Sequence, residues 1–105
     1  MKIGIIGIGH LGFALAEGYA RAGLAQDLIV SPRGREKASL LRATYGIRVA
    51  DDNADVVRNS DVVVIATRPG DVIPTVRLLP WREGQVLISA AAGITAGALR
   101  GAAAP

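Results

Sequence analysis

Cysteine is absent from this 105-residue chain, and histidine occurs once. Disulfides and thiolate metal centres are thereby excluded, a structural zinc site lacks ligands, and the composition fits a reducing, cytoplasmic setting. Aromatic residues are scarce: one Trp, two Tyr and one Phe leave little to stack on bases. The formal charge of +3 does not alter that reading, because ten Arg and two Lys are interleaved with nine acids and only Arg33, Arg35 and Lys37 cluster. Neither nucleic acid nor metal is an expected partner. No apolar run approaches the ~20 residues that span a bilayer. The N-terminal stretch superficially resembles a signal peptide, but four glycines, His10 and Glu17 interrupt it, and no membrane contact is expected. Repeats and linkers are missing too. What is abundant is hydrophobic character: half of the residues are apolar, enough for one domain with a real core, burying roughly two-thirds of its unfolded surface.

The apolar residues alternate between strand and helix patterns. Strands are expected at about 2–6, 27–30, 47–50, 61–67 and 85–90, and helices at about 11–22, 35–45, 54–59 and 71–79. A further helical turn is expected over 95–100, and 101–105 reads as a frayed end. Leu11, Ala14, Leu15, Gly18 and Ala22 recur at helical spacing in the first helix, and Ala38, Leu40 and Leu41 are the expected inward residues of the second. Val62-Val63-Val64-Ile65 is the clearest strand, β-branched and unbroken as burial on both faces demands. Parallel strands joined by right-handed crossovers give a single-domain α/β, Rossmann-type doubly wound sheet of order 3-2-1-4-5. Ligands bind such sheets at the carboxyl edge between strands 1 and 4.

Gly7-Ile8-Gly9-His10-Leu11-Gly12 lies at that point, directly between the first strand and first helix. Free N–H groups and the positive dipole end of a helix face outward there, so a pyrophosphate fits. The first glycine permits the turn, the second lets the ligand approach the backbone, and the third lets helix and strand pack closely. Glycines that merely interrupt structure are the plainer alternative. Thr67-Arg68-Pro69-Gly70 must meet this loop, with residues 31–35 beside it. An NAD site places Asp or Glu after strand 2, whereas here Val30-Ser31-Pro32-Arg33-Gly34-Arg35 offers a hydroxyl and two guanidiniums. Arginine forks suit a 2′-phosphate, and no carboxylate repels one. Ser31, Arg33 and Arg35 therefore point to NADP(H) over NAD(H), against a solvated basic turn as the alternative.

Four blocks make the chain resemble the N-terminal domain of the pyrroline-5-carboxylate reductases. They are the glycine loop from Ile5 to Gly12, the Val30-Ser31-Pro32-Arg33 turn with Glu36-Lys37, the Asp61-to-Asp71 segment, and Leu87-Ile88-Ser89-Ala90-Ala91-Ala92-Gly93-Ile94-Thr95. The resemblance implies NADP(H) as cofactor and hydride transfer to a C=N bond in proline biosynthesis. It implies that Asn53 lies near the adenosine and that Ala66, Thr67, Arg68 and Pro69 border the nicotinamide ribose, with Ala91 to Gly93 approaching the nicotinamide. Arg68 as a solvated loop charge and Ala91 and Gly93 as packing residues are the plain alternatives. Two departures stand out: His10-Leu11 replaces the family's Asn-Met, and Thr67-Arg68 replaces Val-Lys. His10 is open to a local hydrogen-bonding role or to proton transfer; no catalytic residue is assigned.

In that family the chain continues into a sixth strand and a helical domain that dimerises and supplies most of the substrate pocket. A small-molecule imine bound through such a C-terminal domain, and a homo-oligomer, are the partners the resemblance implies. These 105 residues alone are expected to bind cofactor with little or no reductase activity, and the apolar edge of strand 5 is expected to self-associate. Two other readings remain open. One is another NADP-dependent reductase with the same front half, such as a deazaflavin-dependent NADP reductase or a 3-hydroxyacid dehydrogenase relative. The other is a stand-alone NADPH-sensing module without turnover.

Overall fold

The computed structural model describes residues 1–90 and 96–103. β1 (Ile3–Ile6) leads into α1 (His10–Tyr19), and a wide π-type turn over Ala20–Leu24 and a 3-10 turn over Ala25–Asp27 deliver β2 (Leu28–Val30). Then come α2 (Arg35–Tyr45), β3 (Arg48–Val49), α3 (Asn53–Arg58) and β4 (Val62–Ile65). α4 (Pro69–Arg77), β5 (Val86–Ser89) and α5 (Ala96–Ala102) follow. All strand pairs are parallel and the order is β3-β2-β1-β4-β5, as the alternation of strands and helices requires.

Strand side chains alternate between two cores. Ile6, Val63 and Ile65 pack with Val56 and Val57 of α3 and Val72 and Val76 of α4. Ile5, Val30 and Val64 pack on the other face with Ala16 of α1 and Leu41 of α2. Two expected helix stripes need correction. In α1 the fully buried residues are Gly12 and Ala16, while Leu11 is 48% exposed and Ala14 and Ala22 face outward. Close approach to the sheet selects the smallest side chains, one turn apart, rather than the most apolar ones. In α2, Ala38 and Leu41 are inward as expected, but Leu40 is exposed, since neighbouring residues lie about 100° apart around a helix.

Several element ends also differ. β4 stops at Ile65, in register with Ile6 of β1, so Thr67 belongs to the loop rather than the strand. α4 starts two residues earlier than expected because Pro69 takes its first position, where a missing N–H is harmless. Residues 101–103 do not form the expected frayed end, and residues 104 and 105 lie outside the described residues. α5 runs to Ala102, and Leu99, Ala102 and Ala103 pack against the α3–α4 core beside Trp81, whose Nε1–H donates to the Val76 carbonyl at 2.8 Å. Thr95 lies outside the described residues.

The exit of β1 is held by contacts that leave no room for side chains. A Cβ on Gly12 would run into the Gly7 carbonyl oxygen, and one on Gly7 (φ 96°) would stand 2.8 Å from the Thr67 nitrogen. At the opposite edge of the sheet, Arg82 closes the end of α3. Its guanidinium donates to the carbonyls of Val57, Arg58 and Ser60 at 3.3, 2.9 and 3.1 Å, and Gln85 Nε2 donates to Val57 and Ser60. The Val57 carbonyl also accepts the Ser60 N–H at 3.3 Å, so these side chains complete the bonding of the last turn.

Gly12→Ala is expected to lower the urea-unfolding free energy by about 2–3 kcal/mol, because the clash is with backbone that cannot rotate away. Arg82→Ala should cost about 1 kcal/mol at the same readout, and Arg82→Lys should not restore it, since an ammonium cannot span three carbonyls as a fork does.

Candidate cofactor site

α1 presents an open N-terminus. Its cap residue, Gly9, brings no side chain, the first turn carries no acid, and the first intrahelical bond of this turn runs from Phe13 N–H to Gly9 O at 2.9 Å. The amides of Gly9, His10, Leu11 and Gly12 therefore have no acceptor within the helix and aim, with the dipole, past the carboxyl edge of the sheet. The Gly7 turn places them there, wedged against Ala66 and Thr67 as β4 ends, with Ala66 N–H donating to the Ile6 carbonyl at 2.8 Å.

A cleft of about 600 Å³ opens over these amides. It brings Gly9, His10 and Leu11 together with Ala66, Thr67, Arg68 and Pro69, more than fifty positions away in sequence, and adds Lys37 of α2 and Ala90 after β5. A neighbouring depression of about 340 Å³ joins Arg33, from the loop after β2, to Asn53, the first residue of α3. Pro74, Thr75, Leu78 and Leu79 of α4 and its C-terminal end complete it. No carboxylate lines either depression among the described residues. Arg33, Lys37 and Arg68 give both a positive character.

Some sequence-derived site residues have other tasks. Ser31 is wholly buried, and its Oγ accepts the Gly7 N–H at 3.0 Å while its own N–H donates to Ile5 O. It supports the glycine turn from beneath and lines neither depression, in place of the expected position facing a phosphate. The Ile8 side chain is 4% exposed in the core with Leu41, leaving only its backbone near the loop surface. Arg35 is exposed at the first position of α2 and lines neither depression. Ala91 and Gly93 lie outside the described residues. Lys37, part of the block that resembles the family's 2′-phosphate turn, lines the cleft, whereas nothing in the sequence marks Thr75 and Leu78. The signal for Lys37 was its position in the first turn of α2, whose N-terminus starts at the same edge.

The described residues fit a dinucleotide phosphate. Free amides suit the pyrophosphate, cations stand near the end of β2, and the absence of an acid there removes what would repel a 2′-phosphate. Among them, no group of three or more His, Cys, Asp or Glu side chains is placed to hold a metal ion, and no helix is long and apolar enough to cross a membrane.

Comparison with known proteins agrees with this geometry. Residues 2–93 match the family model described as NADP oxidoreductase coenzyme F420-dependent. The pyrroline-5-carboxylate reductase of Mycobacterium tuberculosis is 38% identical over 103 residues, an alignment covering 90% of this chain and 35% of that protein. The pyrroline-5-carboxylate reductase structure from Coxiella burnetii superposes with a TM-score of 0.87 at 23% identity, covering 98% of this chain and 40% of that one. That of Plasmodium falciparum pyrroline carboxylate reductase, solved with NADP bound, gives 0.82 at 24% identity over 98% and 38%. The chain thus spans about a third of the length of the curated relatives it matches. An open helix end behind a glycine turn, a carboxylate-free cationic cleft and the 3-2-1-4-5 sheet meet in one lineage: this chain belongs to the family of NADP oxidoreductases described as coenzyme F420-dependent.

Proposed function

We propose that this chain is the NADPH-holding part of a reductase that acts on a carbon–nitrogen double bond, in the manner named for its pyrroline-5-carboxylate reductase relatives. The observation that carries the reading is the cationic, carboxylate-free cleft over the uncapped N-terminus of α1. The amides of Gly9 to Gly12 bind the pyrophosphate, Arg33 and Lys37 reach the 2′-phosphate, and Asn53 borders the adenosine. Thr67, Arg68 and Pro69 flank the nicotinamide ribose, with Ala66 beneath and the Ala91 to Gly93 segment toward the nicotinamide. When bound, the reduced nicotinamide supplies a hydride. The chain's own contribution is to bind and orient that ring; no side chain among these residues is given a proton-transfer step, and His10 serves as a hydrogen-bond donor at the helix end.

The imine pocket belongs, in this proposal, to residues beyond the 105 described by the sequence. A homo-oligomeric whole protein is part of it, as the resemblance to the pyrroline-5-carboxylate reductases implies. So is a cytoplasmic setting.

The test is a fluorescence titration with both reduced coenzymes. Wild type should bind NADPH at least about tenfold more tightly than NADH. Arg33→Ala and Lys37→Ala should each weaken NADPH by about tenfold and leave NADH nearly unchanged, since only the 2′-phosphate distinguishes the two. Equal affinity of the wild type for NADH and NADPH would remove the assignment.

A further inference from the structure

Thr67 carries a buried polar atom with nothing to bond. Its Oγ1 is shielded from solvent and has no hydrogen-bond partner, the single such side-chain atom among the described residues. Its methyl group has a clear purpose: Cγ2 fills the space beside Gly7, 2.9 Å from where a Cβ would stand on that glycine. Valine would provide that methyl equally well and a second apolar group in place of the hydroxyl. A buried hydroxyl that gains nothing in the free chain is a cost that native structures rarely keep without a use. The residue itself is half-buried and lines the 600 Å³ cleft, so the unpaired hydroxyl belongs to the wall against which a ligand would lie.

We propose that Thr67 is a coenzyme-sensing hydrogen-bond donor, whose hydroxyl is partnerless in the free chain and is satisfied by a ribose or phosphate oxygen on the nicotinamide side of the bound dinucleotide. This rests on the NADPH reading above and deepens it. The hydroxyl contributes nothing to holding the apo fold and acts only when the cleft is filled. It therefore separates stability from affinity, which a merely structural threonine does not.

Thr67→Val tests the idea, with Thr67→Ser as the variant that keeps the hydroxyl. Without coenzyme, Thr67→Val should melt a few degrees higher than wild type, because it removes an unpaired buried polar atom. It should bind NADPH about three- to tenfold more weakly, and Thr67→Ser should stay within about twofold of wild type. Adenosine 2′,5′-bisphosphate, which carries only the adenosine half, should bind wild type and Thr67→Val alike. Equal NADPH affinity of wild type and Thr67→Val, a lower melting point for Thr67→Val without coenzyme, or a matching loss with the bisphosphate would each overturn the inference alone. A wild type that ignores NADPH strikes down the coenzyme reading, and this inference with it.

Discussion

Everything at the carboxyl edge depends on three stretches of backbone approaching more closely than side chains allow. Gly12 lies against the Gly7 carbonyl, and Gly7 lies against the Thr67 amide, so β1, α1 and the end of β4 meet with no Cβ between them. Ser31 adds a fourth member by holding the Gly7 N–H from below. The loop after β2, the glycine turn and the loop after β4 are thereby fixed relative to one another. The open amides of α1 are the product of that fixing: they point outward because the turn beneath them has no freedom to fold back.

The sheet divides labour between its two edges. At the amino edge Arg82 and Gln85 bind carbonyls from the end of α3, and Lys2 N–H meets Asp61 at 2.8 Å, so polar backbone is satisfied within the protein. At the carboxyl edge the amides opening α1 have no acceptor within their helix, and among the described residues no carboxylate lines the two depressions that Arg33, Lys37 and Arg68 border. That contrast, more than cleft size, marks where a charged ligand belongs. Members of one fold carry many chemistries, and here the polarity of the edge narrows the field to anionic ligands.

The sheet was legible in the sequence because β-branched runs and helix stops repeat in strict alternation, and parallel crossovers admit few strand orders. The glycine loop was legible for the same reason, since its spacing has meaning only between a strand and a helix. Other features were hidden. The buried face of α1 follows backbone distance, so Gly12 and Ala16 outrank Leu11, which hydropathy alone favours. Ser31 reads as a surface hydroxyl in a polar turn, and only the three-dimensional path shows it beneath Gly7. The side of the first turn of α2 that Lys37 takes was likewise hidden, and α5 was legible only as a single turn because short alanine-rich segments carry little period.

Trp81 is the sole indole in the sequence, and it is clasped to the Val76 carbonyl where α4 ends and the chain turns toward β5. The molecule thus owns one indole fluorophore, outside the lining of both depressions and anchored to a helix that borders them. Its emission gives an undisturbed optical record of how α4 sits on the sheet, obtainable without adding any label.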